Sequence, residues 1–184
     1  MVDDAEFNEK HSIVVIQRAQ QALLSPIARL EQEIAWLPEL SITQTEKITS
    51  LLESNRLDEL LNASSFLPDL AKANILAHAC VKIEVGEEIL QSLLDSWEEF
   101  DESRLFSFLN EKRALSGFPR VDMAQLEVAI NSVGVAHARN AAMAVWSSEK
   151  PGSLMEDLVQ ANIRTSKISR IFNHFVRRNH IFKG

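Results

Sequence analysis

Apolar side chains recur with the pitch of an α-helix in every stretch between the prolines of this chain, and that pattern constrains its fold more than any other feature. Pro26, Pro38, Pro68, Pro119 and Pro151 stand between or at the starts of these stretches, where helix boundaries tolerate them, and not inside. Five glycines and five prolines among 184 residues are too few to build the many tight turns of a sandwich or barrel. With 46% apolar residues the chain can bury a core without a metal or disulfide as staple. The pattern predicts an all-α fold, an irregular bundle of about eight to ten helices forming one domain over residues 1–184.

Local signals mark the pieces. Residues 8 to 24 carry Ile13, Ile16, Ala19, Leu23 and Leu24 at helical spacing, and Ser25 before Pro26 reads as an N-cap with a first-turn proline. Thr43 with Glu46 reads as a capping box ahead of Ile48, Leu51 and Leu52, and a short segment runs from Leu57 to Leu61. Residues 68 to 83 are apolar nearly all round, which implies burial on most sides, with Leu70, Ala73, Ala77 and Ala79 or Cys80 inward. Ile89, Leu90, Leu93, Leu94 and Trp97 form one stripe, with acids opposite. Asp101 can cap a helix through Leu105, Phe106, Phe108, Leu109 and Leu115, which Gly117 ends. Asp122 with Gln125 opens the longest early segment, to about Trp146, whose Gly/Ala-rich part from 134 to 144 lets another helix approach closely. Ser153 with Glu156 opens a last helix, from about 153 to 178.

Reaction chemistry leaves little trace. Cys80 is the only cysteine, which rules out an internal disulfide framework and a Cys-rich metal site and fits a reducing compartment. His78 and Cys80 are two residues apart, about 200° around a helix, and cannot share a metal. There is no Gly-rich phosphate loop, HExxH or GxSxG, so no catalytic, cofactor-binding or metal residues are expected. Ser147 to Lys150 matches SxxK, without the companion motifs of Ser/Lys acylating enzymes. Glu98, Glu102, Arg104, Arg113 and His137 are the one pool from which an enzyme site could be drawn. His137 shares a helix face with Leu126, Ile130, Val133, Ala141 and Ala144; it is either a core histidine bonded to a neighbouring helix or carbonyl, or a polar contact in a pocket left by alanines. No apolar stretch approaches the roughly 20 residues of a membrane span. The acidic opening MVDDAEFNEK is unlike a secretory signal, so a soluble, cytoplasmic protein is expected.

Charge is more informative. The formal net charge is −7, yet residues 158 to 184 hold six Lys/Arg and no acid. Residues 84 to 102 hold eight acids and no Lys or Arg. That acidic stretch is either a solvated surface over which the basic terminal helix lies, or a docking surface for a basic partner. Arg164, Lys167, Arg170, Arg177 and Arg178 fall in one sector of the terminal helix beside an apolar sector of Ile168, Ile171, Phe172 and Phe175. Leu154, Leu158, Ala161, Thr165, Ile168, Phe172 and Phe175 keep the alternating spacing of a helix–helix seam. This helix can pack on its own core, dock onto another protein or a second copy, or contact nucleic acid or an anionic membrane; the acidic body ranks nucleic acid below protein.

Residues 13 to 40, through Ala19, Leu23, Ser25, Pro26 and Arg29, resemble the tail of a J-domain, where an apolar helix leads through a short Ser/Pro link to a charged helix. The segments that follow resemble helical regions attached to J-like segments in some bacterial proteins. The resemblance implies a chaperone-linked adaptor. The His-Pro-Asp tripeptide with which a J-domain stimulates Hsp70 is absent, so stimulation by this chain is not expected. The combined reading is a non-enzymatic helical protein-interaction or adaptor module without cofactor or membrane contact. Its partner-binding residues would be Arg164, Lys167, Arg170, Arg177 and Arg178 on one surface and Glu87, Glu88, Asp95, Glu98 and Glu99 on the other. The alternative is a nucleic-acid-binding accessory protein using the basic C-terminal helix.

Overall fold

The computed structural model describes residue 17 and residues 24–54, 56–82 and 87–147. The segment expected over 8–24, but for its edge, and the whole helix expected from 153 to 178 lie outside the described residues. Among the described residues there are seven helices and no strand: α1 (Pro26–Ala35), α2 (Ile42–Glu53), α3 (Leu57–Ser64), α4 (Asp69–Lys82), α5 (Glu87–Glu99), α6 (Glu102–Leu115) and α7 (Met123–Ser147). The class is all-α among the described residues, as the periodicity requires; seven helices are found there, and the eight to ten expected for the whole chain included two that fall outside them.

Helix ends follow from local side-chain chemistry. The Ala28 N–H donates to Ser25 Oγ, and Pro26 occupies the first turn, where its missing N–H costs nothing. Asp101 accepts from the Ser103 and Arg104 N–H groups to start α6. Asp122 and Gln125 cap each other reciprocally at the start of α7. The start of α2 corrects the sequence reading: the capping box is Ser41 with Gln44, two residues before Thr43 and Glu46. Either start leaves Ile48, Leu51 and Leu52 on the inward face, so the apolar pattern could not choose between them.

At the end of α6, Gly117 takes φ +71°, the Phe118 N–H reaches the Arg113 carbonyl at 2.8 Å and the Gly117 N–H the Ala114 carbonyl at 3.2 Å. This is the Schellman arrangement that a left-handed residue permits. Leu115, in the last turn of this helix, is 84% exposed. The inward row of α6 runs Leu105, Leu109, Arg113 at four-residue steps and leaves Leu115 on the far side.

Two apolar cores share α4. Leu70, Ala73, Leu76, Ala77 and Cys80 face the larger core with α1, α5, α6 and α7. Ala71, Ile75 and Ala79, in steps of four, face the smaller core with Leu37, α2 and α3. A helix buried on two sides needs small and apolar residues on both, which is why its sequence shows so little amphipathic contrast. The 25-residue α7 packs along α1 and α4, with the small side chains of Ala129, Ala138, Ala141 and Ala142 buried at these contacts. Asn140 Nδ2 donates to the Ala77 carbonyl at 3.1 Å and ties α7 to α4.

The link from α1 to α2 is pinned at both ends. Asn74 of α4 donates to the carbonyls of Ile34 and Trp36, acceptors that the end of a helix leaves without intrahelical partners. Glu39, at φ 67°, accepts from Arg104 of α6 at 2.8 Å. The connection from α6 to α7 is held by Asn110, which donates to the Val121 carbonyl and accepts from the Val121 N–H.

Candidate functional site

The sequence singles out α5 for its acids, and packing decides which way they face. Ile89, Leu90, Leu93, Leu94 and Trp97 are all buried, so that stripe lies on the core. On a 100° wheel Glu88, Asp95, Glu98 and Glu99 then fall in an opposite sector of about 100°. All four are exposed. Glu87 belongs to the same helix; its side chain lies outside the described residues. Asp95 accepts from Gln91 Nε2 at 2.6 Å, and none of the four carboxylates forms an ion pair among the described residues.

The end of this helix is electrostatically unfavourable. Glu98 and Glu99 occupy the last turn of α5, which carries no basic residue. Negative charge at a helix C-terminus opposes the macrodipole, at a cost of about 0.3–1 kcal/mol each. Asp101 follows after Phe100, so three carboxylates cluster at the corner between α5 and α6. Such a site gains from a cationic partner. Arg164, Lys167, Arg170, Arg177 and Arg178, the basic set, lie outside the described residues.

The pool of candidate reactive groups is dispersed. Arg104 is engaged by Glu39, at 3.0 Å through Nε. Arg113 is buried and donates to the Pro119 carbonyl at 3.1 Å and to Glu33 at 3.3 Å. Glu33 also pairs with Arg29, whose guanidinium lies 4.2 Å from the Phe118 ring centroid. These contacts latch α1 to the end of α6. Glu98 is exposed on α5 and Glu102 half-buried at the start of α6.

His137 is buried in α7 and accepts at Nδ1 from Trp97 Nε1 of α5 at 3.2 Å. The two rings meet edge to face with centroids 5.5 Å apart. Desolvation pushes the imidazole down to about 4, so it is neutral near pH 7 with its proton on Nε2. The bond to a neighbouring helix is the first of the two readings of this residue, and His137 also lines a pocket with Ala35, Ala77 and Ala136, as the second has it.

Cys80 is buried in the larger core, and desolvation pushes its thiol up to about 12. His78, its near neighbour in sequence, is exposed. Among the described residues no group of three or more His, Cys, Asp or Glu could hold a metal ion, and no helix is long and apolar enough to cross a membrane. Asn74 and the structural role of Arg113 were missed from sequence; the signal for Asn74 was an amide flanked by the apolar residues Ala71, Ala73, Ile75, Leu76 and Ala77. No protein family, characterised protein or solved structure matches this chain.

Proposed function

We propose that the protein is a non-enzymatic interaction module that engages a basic protein segment through the outward face of α5. The observation that carries this reading is the exposed set Glu88, Asp95, Glu98 and Glu99, two of them set against the helix dipole and none ion-paired among the described residues. Electrostatic complementarity of this kind gives speed and selectivity of association and weakens with salt.

The basic helix expected from 153 to 178 would supply a second surface of the same domain, for a protein partner or a second copy. The resemblance of residues 13–40 to a J-domain tail makes a chaperone-linked adaptor of the cytoplasm the more specific form of the proposal. Lacking His-Pro-Asp, the chain would recruit or position a partner without stimulating an Hsp70 ATPase.

The test compares the full chain with the variant Glu88→Lys, Asp95→Lys, Glu98→Lys, Glu99→Lys in affinity capture across a salt series. Exposed substitutions leave the fold intact, each within about 0.5 kcal/mol. Partners held by the wild type at low salt, lost on raising salt and absent from the variant support the reading. Equal capture by both proteins refutes it.

A further inference from the structure

A cavity of about 230 Å³ lies where the C-terminal end of α1 meets α2, α4 and α7. Leu52, Ile75 and Val133 give it apolar walls, and Trp36, half exposed, stands beside it. Two buried polar side chains also line it, Asn74 and His137, each 7% exposed. Asn74 spends its Nδ2 on the Ile34 and Trp36 carbonyls, at 2.7 and 2.5 Å, and this fixes which way the amide faces. Its Oδ1 is then buried without a hydrogen-bond partner among the described residues. A buried acceptor left unpaired costs about 1–3 kcal/mol, and in a native fold such an atom calls for a donor beyond those the described residues supply.

The second group has the opposite polarity. Trp97 occupies Nδ1 of His137, so the neutral ring carries its proton on Nε2, a donor. No Lys, Arg, Asp or Glu is among the described lining residues. The cleft is open to solvent beside Trp36, His78 and Ala136, and its mostly apolar walls offer a charged guest no fixed counter-ion among the described residues. Water is a poor filling on the apolar side: the space would hold several molecules at about 30 Å³ each, and the walls there offer them few hydrogen-bond partners.

We infer that this cavity binds a small, uncharged heteroaromatic molecule of about the size of a fused bicycle, which donates an N–H to Asn74 Oδ1 and accepts from His137 Nε2. An apolar cavity of about 150 Å³ already takes up benzene. The larger volume here leaves room for a second ring, and a ring nitrogen pair supplies donor and acceptor on an otherwise apolar body. The site is separate from the acidic face of α5 and does not depend on that reading.

Benzimidazole is the probe, with naphthalene as the fused bicycle that lacks both polar groups. The full chain is titrated with each while NMR follows the Trp97 indole N–H and the Asn74 side-chain amide. Benzimidazole is expected to shift both signals at millimolar concentration or below and to bind at least about tenfold tighter than naphthalene, the worth of one or two net hydrogen bonds. Ala136→Phe and the milder Ala136→Leu enlarge an exposed α7 residue that lines the cavity, and are expected to weaken benzimidazole while leaving the helical circular dichroism unchanged. Equal binding of naphthalene, unchanged binding in a folded Ala136 variant, or unmoved Trp97 and Asn74 signals at millimolar benzimidazole overturns the inference.

Discussion

Burial of His137 gives the stability of this fold a pH-dependent contribution that can be isolated at one residue. Its folded pKa is about 4 against an ordinary value of 6.5. Between these values the unfolded chain holds more protons than the folded one, so stability rises with pH across the window and is lost as pH falls from 6.5 toward 4. The difference of 2.5 is worth about 3 kcal/mol over the whole window, and about 2 kcal/mol between pH 7 and pH 4.5. With a urea slope of about 2 kcal/mol per molar, the midpoint should fall by about 1 M over that interval from this residue alone. Carboxylates also titrate here, so His137→Gln is the comparison: its amide oxygen can still accept from Trp97 Nε1 and carries no proton-linked charge. Urea unfolding of both proteins from pH 7.5 to 4.5 should show the wild type losing about 2 kcal/mol more than the variant. Parallel curves, or a His137 NMR titration near 6.5 in the folded protein, would refute the assignment of the acid sensitivity to this buried ring.

Arg113→Met removes the guanidinium that holds the Pro119 carbonyl and Glu33, and should lower stability by about 1–3 kcal/mol in thermal or denaturant melts. Arg113→Lys should recover only part, since a single ammonium replaces the fork. Gly117→Ala meets no atom within 4 Å of the added Cβ yet must hold φ +71°, so its cost of about 1–2 kcal/mol should come from backbone strain alone, with Gly117→Asn costing less in the same melts. The Cys80 thiol, buried and with its pKa pushed up to about 12, should resist a thiol-specific reagent in native buffer and react fully once unfolded. Rapid native labelling would contradict its placement in the core.

What was legible in the sequence was what depends on near neighbours. Ser25 with Pro26, Asp101, and Asp122 with Gln125 are bonds made within one helical turn, and the structure contains all of them. The stripe of α5 and the face of α7 through His137 were equally readable, because period and polarity agree there. The failures involve choices that neighbours do not settle. Ser41 with Gln44 and Thr43 with Glu46 have the same spacing and differ by two residues, and no local rule separates them. Leu115 is apolar and Arg113 charged, so hydropathy points the wrong way; Arg113 enters because a carbonyl and Glu33, 80 residues away in sequence, await it. Asn74 likewise acts on carbonyls 40 and 38 residues away. The acids of α5 were visible as charge, while their freedom from ion pairs among the described residues required the packed arrangement.

Because one helix serves as the common wall of two oily compartments, damage on either side has to be felt on the other. Loosening α2 and α3 strips water-proofing from Ala71, Ile75 and Ala79, whose backbone is the same rod that supports Leu70, Ala73 and Leu76. With apolar packing on both sides, the central amides of α4 should be among the slowest of the described residues to exchange with solvent.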